Sequence, residues 1–137
     1  MNDGTAHYPS LRGRAVFISG GGSGIGASLV EHFARQGARV AFVDIAQAPS
    51  EALCASLAAQ GLARPHFEPC DVTDVAHLQA AIARAAVACG DIAVLVNNAA
   101  NDERHALATL TPERWQQLMD VNLRHHAFAA QAVIDGM

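Results

Sequence analysis

Apolar and polar positions along this chain repeat in one order: a short apolar run, a polar turn, then an amphipathic stretch. Residues 15–18 form an apolar run of strand length, and 40–43 form a second that closes at Asp44. Residues 92–96 are unbroken apolar, the pattern of a strand buried on both faces. A weaker run, 66–68, lies between Pro65 and Pro69. Prolines there suit an edge strand, where a missing N–H is tolerated. Helical periodicity fills the intervals. It predicts a helix over 24–36 with Ile25, Leu29, Val30 and Phe33 on its apolar side, stopped by a left-handed Gly37. Ser50 is the expected N-cap of a second helix, 51–60, whose inner face is Leu53, Leu57 and Ala58; Gly61 stops it. Thr73 or Asp74 caps a third, running to about Ala88 with Val75, Leu78, Ala81 and Ile82 inward, and Gly90 closes it. Thr111 and Pro112 open a last long helix that continues through Trp115, Leu118, Val121 and Phe128 toward Val133. Strand–helix alternation four times over predicts an α/β fold, with a parallel sheet and right-handed crossovers.

Composition narrows the class. The 137 residues suffice for about one domain, and 51% hydrophobic with 16% charged residues describes a globular chain. A net charge of -4 leaves no electrostatic footprint for nucleic acid or an anionic membrane. No apolar run approaches a membrane span. Residues 1–10 read as a polar, flexible tail without a signal peptide's apolar centre, so a cytoplasmic location is expected. Cys54, Cys70 and Cys89 form no C-x-x-C pair and read as buried or half-buried thiols. Of seven histidines only His125 and His126 are adjacent, and helix neighbours point about 100° apart, so no metal site is expected. All nine basic residues are arginine, and Tyr8 in the tail is the one tyrosine. Chemistry that needs a buried Tyr–Lys pair cannot occur within these residues.

The candidate chemistry begins at Ser19-Gly20-Gly21-Gly22-Ser23-Gly24-Ile25-Gly26, between the first strand and the first helix. Glycines let a backbone approach a pyrophosphate, and free N–H groups at a helix N-terminus face the anion. The spacing is G-x-x-x-G-x-G rather than G-x-G-x-x-G. Asp44 stands at the end of the second strand, about twenty residues on, where a ribose-binding acid belongs in a dinucleotide fold. Such a carboxylate accepts from a 2′-hydroxyl and repels a 2′-phosphate. Neither Gly21, Gly22, Ser23 nor Ile45 supplies a cation to hold that phosphate, so NAD is favoured over NADP. A helix cap is the rival role for Asp44. Asp71, with Val72, either meets an adenine or caps the third helix. In a 3-2-1-4 strand order, Asn97-Asn98 falls at the point where the order reverses, a preferred ligand site, though Asn is also a good turn residue. Asn122 sits within the long helix, where its side chain competes for backbone bonds, or else lies exposed and indifferent. The cluster Asn101-Asp102-Glu103-Arg104-His105 is either a solvated loop or a polar wall for a hydroxyl-rich substrate.

Taken together, the glycine stretch, Asp44, Cys70-Asp71-Val72, Asn97-Asn98-Ala99-Ala100 and Asn122 in Val-Asn-Leu resemble the short-chain dehydrogenase/reductase family. The likeness covers the chain from about Leu11. It implies a partial Rossmann-type dinucleotide domain over 11–137, with sheet order 3-2-1-4, flanking helices and the carboxyl-terminal strands missing. It also implies NAD(P)-dependent hydride transfer at a carbon bearing a hydroxyl. By resemblance, Gly20, Ser23, Gly24, Ile25 and Gly26 hold the pyrophosphate. Asp44 and Ile45 meet the adenosine ribose, and Asp71 and Val72 the adenine. Asn98, Ala99 and Ala100 lie near the second ribose. Asn122 is the family's catalytic Asn, whose helix distortion frees a carbonyl for a proton-relay water. Ser19 replaces the family's usual Thr, and Ala100 its usual Gly. The family's catalytic Ser, and the Tyr and Lys of its Tyr-x-x-x-Lys pattern, are absent from the 137 residues. The chain is therefore expected to be an amino-terminal half that turns over nothing alone. Tyr8-Pro9-Ser10-Leu11, Asn101-Asp102-x-Arg104-His105, Trp115 and Asn122-Leu123-Arg124-His125 add a likeness to NAD-dependent aldose 1-dehydrogenases, which oxidise a sugar's anomeric hydroxyl to a lactone. That likeness makes Asn101, Arg104 and His105 candidate substrate contacts. The expected partners are a small-molecule substrate, a sugar by this likeness, and further copies of the chain in a homo-oligomer. The alternative is a non-catalytic nucleotide-binding or dimerising module.

Overall fold

The computed structural model describes residues 6–137; the first half of the expected tail, residues 1–5, lies outside them. Four parallel strands form one sheet in the order β3-β2-β1-β4. They are β1 (Ala15–Ser19), β2 (Arg39–Asp44), β3 (His66–Pro69) and β4 (Ile92–Asn97). The helices are α1 (Gly24–Arg35), α2 (Gln47–Ala59), α3 (Val75–Cys89), α4 (Pro112–Met119) and α5 (His125–Val133). Between α4 and α5 the chain makes a π-turn, Asp120–Arg124.

β1 is central and wholly buried. Its alternate side chains enter opposite layers, as a period of two requires. Phe17 joins Leu78, Ile82, Ala129 and Val133 on the α3 and α5 side. Val16 and Ile18 join Val30, Phe42, Cys54 and Leu57 on the α1 and α2 side. β3 is indeed an edge, and Pro69 ends its pairing opposite Asp44. β4, expected to be buried on both faces, is buried only at Ile92. It has a paired neighbour on one side alone, β1, so its other edge stands open among the described residues.

Four local expectations are corrected. Ser50 caps nothing: α2 starts at Gln47, and the Ser50 hydroxyl donates 2.7 Å back to Ala46 O from a buried position. Asp44 makes the earlier start possible by accepting from Ala46 N at 2.8 Å. Pro49 then falls in the first turn, where no helical N–H bond is lost. Ala58 is exposed, and Cys54 takes its inward place. Ile25 is 76% exposed rather than on the packed side of α1. The last helix is interrupted, and one extra residue in the π-turn turns His125, Ala129 and Val133 inward while Trp115 stays half exposed. Asp74, of the two candidates, caps α3, accepting from His77 N at 3.0 Å.

Residues flanking the sheet are tied by polar contacts. Gln36 at the end of α1 donates to Ala6 O and accepts from Tyr8 N. Glu68 on β3 binds Arg84 and His77 of α3. The Arg84 guanidinium, with His77 assisting against the cost of burial, holds the Glu68 carboxyl below its usual value of 4.5. A depressed carboxyl adds stability above pH 4.5 that is lost as pH falls through its folded value. Glu68→Gln is expected to cost about 1 kcal/mol at neutral pH and nothing in strong acid. Thermal melts of the two proteins that stay equally far apart from pH 7 to pH 3 would contradict this.

Candidate functional site

The carboxyl ends of β1, β2, β3 and β4 open onto a single cleft of about 690 Å³. Gly20, Ser23, Gly24, Ile25 and Gly26 line it, followed by Asp44, Ile45, Asp71, Val72, Asn98, Ala99 and Ala100. These are the twelve residues that the sequence assigns to a cofactor. Ala46, Cys70, Asp102 and Val121 line it too, and were not among them.

The glycine turn owes its shape to close backbone contacts. Gly20 N and Gly21 N both donate to Val43 O, which pins the turn to β2. Gly20 adopts φ +73°, and a Cβ there would lie 2.8 Å from Ala99 Cα. Gly24 also has a left-handed φ, +53°, and a Cβ there would meet nothing within 4 Å. Ser23 precedes α1 in extended conformation without a side-chain cap bond. The first N–H groups of α1 thus face the cleft with no side chain closing over them, which is the arrangement an anion needs.

Asp44 is held at both oxygens. Oδ2 accepts from Gly22 N at 2.8 Å and Oδ1 from Ala46 N at 2.8 Å. One bond supports the start of α2, and the carboxylate also lines the cleft. Among the described residues no arginine lines that cleft, whereas Asp44, Asp71 and Asp102 do. Asp71 accepts from Thr73 N and Thr73 Oγ1 through one oxygen, Oδ1. It shapes the turn before α3 rather than capping the helix. Burial pushes the neighbouring Cys70 thiol up to about 11, so it stays protonated and inert.

The β4 end is bolted to the glycine turn. Asn98 Nδ2 donates to Gly20 O at 2.9 Å, and Asn98 N and Ala99 N donate to Ser19 Oγ at 3.0 and 3.1 Å. Asn122 is not indifferent. Its Nδ2 donates to Asn101 O at 2.9 Å and its Oδ1 accepts from Asn101 N at 2.8 Å, so the whole amide grips the loop after β4. It sits in the π-turn, the kind of helix distortion that the resemblance implied. Arg104 and His105 are exposed and lie outside the residues lining the cleft. Glu103 binds Arg114 instead of facing the cleft.

His125 was missed. It is fully buried, and its Nε2 lies 3.0 Å from Ser19 Oγ. A period-four reading from Ala129 and Val133 back to residue 125 carries the signal, but it requires knowing that the helix is broken upstream.

A family model described as short chain dehydrogenase matches residues 14–137. The chain belongs to the short-chain dehydrogenase family. Among curated relatives, a probable galactose dehydrogenase of Rhizobium meliloti is 53% identical over 133 residues, covering 97% of this chain and 52% of the relative. A D-xylose 1-dehydrogenase of Caulobacter vibrioides is 50% identical with the same coverage. Among solved structures, a blue fluorescent protein from a metagenomic library, in complex with NADPH, superposes with a TM-score of 0.86 at 33% identity. That match covers 93% of this chain and 52% of the other. This short-chain dehydrogenase sequence thus spans about half the length of the relatives it matches. The family supplies oxidoreductase chemistry with a nicotinamide cofactor. Among the described residues, no helix is long and apolar enough to cross a membrane.

Proposed function

We propose that this chain is the NAD-binding half of a short-chain dehydrogenase that oxidises a sugar hydroxyl, an aldose to its lactone. The observation that carries the cofactor is the Asp44 carboxylate, fixed at both oxygens in a cleft that no cation among the described residues lines. The open side of Gly24, the free first turn of α1 and the cleft's volume fit a dinucleotide. When bound, the nicotinamide accepts or gives a hydride. The chain's own residues bind and orient. The glycine turn and α1 hold the pyrophosphate, and Asp44 with Ile45 holds the adenosine ribose. Asp71 keeps Oδ2 for the adenine amino group beside Val72. Asn98, Ala99 and Ala100 wall the second ribose. Asn122 fixes the polar loop, whose Asn101, Arg104 and His105 are offered to substrate.

The sugar comes from the relatives, one named for galactose and one for D-xylose. The acid/base group does not come from this chain. Tyr8 borders a groove along α1 with Leu29 and Phe33, away from the cleft, and there is no lysine. Calorimetry of the purified chain is expected to show NAD binding. Absorbance at the NADH band is expected to stay flat with galactose or D-xylose present. No heat with NAD at millimolar concentration sinks the binding half of this reading, and sugar-dependent NADH sinks the inactivity.

The exposed Trp115, Leu123 and Ile134 favour a second reading as a self-associating module, a homo-oligomer without turnover.

A further inference from the structure

Among the described residues three polar side chains are buried, and two of them, Ser19 and His125, touch. The bonds around them have only one consistent direction. Ser19 Oγ already accepts from Asn98 N and Ala99 N. Its own proton therefore goes to His125 Nε2 at 3.0 Å, which must be bare. On the other side of the ring, Nδ1 lies 2.6 Å from Val121 O. A carbonyl only accepts, so Nδ1 carries the ring proton.

The backbone explains why a donor is wanted there. His125 N–H donates to Asp120 O, five residues back, where an α-helix would use Val121 O. The imidazole of the same residue returns a donor to the carbonyl that its N–H passes over. The next residue after Val121 is Asn122, whose amide grips Asn101.

We infer that His125 is a positioning residue: its neutral, Nδ1-protonated ring locks the π-turn carrying Asn122 to Ser19, and through Ser19 to the Asn98–Ala99 wall of the cleft. The inference rests on the nucleotide reading of that cleft. Protonating the ring would place a second N–H against an oxygen that already takes two, and would leave the Ser19 proton without an acceptor. The surroundings oppose that proton. Burial holds the imidazole below its usual 6.5, outweighing the bond to Val121 O, which favours the charged ring, and His126, edge-on at 4.3 Å between ring centres, adds to the lowering. β1 and β4 contain no ionisable side chain. On α3, His77 and Arg84 are committed to Glu68, and burial keeps the Cys89 thiol protonated. In the π-turn, Asp120 pairs with Arg124. A lowered folded value adds stability above pH 6.5 that is lost as pH falls through it.

Long-range nitrogen–proton NMR of the histidine-labelled chain reads the tautomer directly. The expected result is a neutral ring protonated at Nδ1, persisting below pH 6.5. A ring protonated at Nε2, or one that titrates at or above 6.5, overturns the assignment. His125→Asn keeps a donor for Val121 O but is too short for Ser19. In that variant the Asn98 and Ala99 amides are expected to exchange about tenfold faster, while Asn101 keeps its protection. Ser19→Thr, which retains the hydroxyl, is expected to exchange like the parent. NAD affinity of the parent chain is expected to fall below the His125 titration, and that step vanishes in His125→Asn. Uniformly faster exchange across all core amides, with the pH step intact, marks a merely structural histidine and overturns the inference. If His125→Asn does not fold, the tautomer of the parent chain decides alone. If the parent takes up no NAD at any pH, the nucleotide reading falls, and the tautomer and amide protection still decide what His125 does.

Discussion

Gly26→Ala is expected to lower the melting temperature by about 10–20 °C and to abolish NAD binding. Gly26 lies in the first turn of α1, where it backs onto the glycine turn it follows. A Cβ built there would sit 1.8 Å from Gly20 O and 2.7 Å from Asn98 Nδ2. Both atoms belong to one hydrogen bond, Asn98 Nδ2 to Gly20 O at 2.9 Å. The methyl must therefore push the turn away from the helix and expel the asparagine. Overpacking costs about 1–3 kcal/mol and two orphaned polar groups about 1–3 more. That is a large part of the roughly 5–15 kcal/mol that a domain has. Gly24→Ala is the control. It has the left-handed φ of +53° but open space around its Cβ, so the expected loss is only about 1–2 kcal/mol. Thermal melts and NAD calorimetry of both variants check this. A Gly26→Ala protein that melts within about 3 °C of the parent would show that the turn relaxes, and the packing argument would fail.

The contrast between Gly24 and Gly26 also shows what a sequence does and does not disclose. Their spacing was readable, because a phosphate turn between a strand and a helix needs glycine at set offsets. Their different reasons were not. One is glycine for its φ and the other for a carbonyl that touches it. β1, β2 and β4 were legible as apolar runs, whereas β3, His-Phe-Glu-Pro, was marked mainly by its flanking prolines. The sheet order followed once strand, turn and helix pointed to a dinucleotide fold. Ser50 was misjudged because serine before a helical period looks like a cap, whereas Asp44, six residues earlier, had already satisfied Ala46 N. Tertiary neighbours outrank local propensity in such places.

Within the site, the residues on strand ends were legible and the residues acting through other residues were not. Asp44, Asp71 and Asn98 stand where apolar runs stop, so the pattern marks them. Asn122 was visible as an unfavourable mid-helix asparagine, but its role came only through the resemblance, since it has no periodicity of its own. His125 was noted only for its neighbours in sequence and not as an inward residue, because the π-turn shifts the helix by one residue, and a 3.6 period carried through it points the wrong side chains inward. Arg104 and His105 were marked by their chemistry rather than by their place in the pattern. Charge and hydrogen-bonding capacity drew attention to them, yet the structure leaves both exposed beyond the cleft lining.

Asp44→Ala is expected to shift the preference between NAD and NADP by about a hundredfold or more, through a lost ribose bond and lost repulsion together. Two effects act in the same direction. The carboxylate's charge-assisted bond to a ribose hydroxyl contributes about 1.5–3 kcal/mol to NAD alone. A 2′-phosphate placed against the same carboxylate is repelled by about 1–4 kcal/mol per charge pair at contact distance, between water and a partly buried surface. Removing the carboxylate ends both. It also leaves Gly22 N and Ala46 N without their acceptor, so affinity for NAD itself should fall further than the ribose bond accounts for. Ile45 is 77% exposed beside it. Adding Ile45→Arg to Asp44→Ala should therefore bring a cation to the phosphate and reverse the preference, and raising the salt concentration should erode that gain. Calorimetry with each nucleotide on the parent chain and both variants makes the comparison. A parent chain that binds NADP as tightly as NAD would mean that Asp44 serves α2 and Gly22 only, and that the cleft reads nothing at the 2′ position.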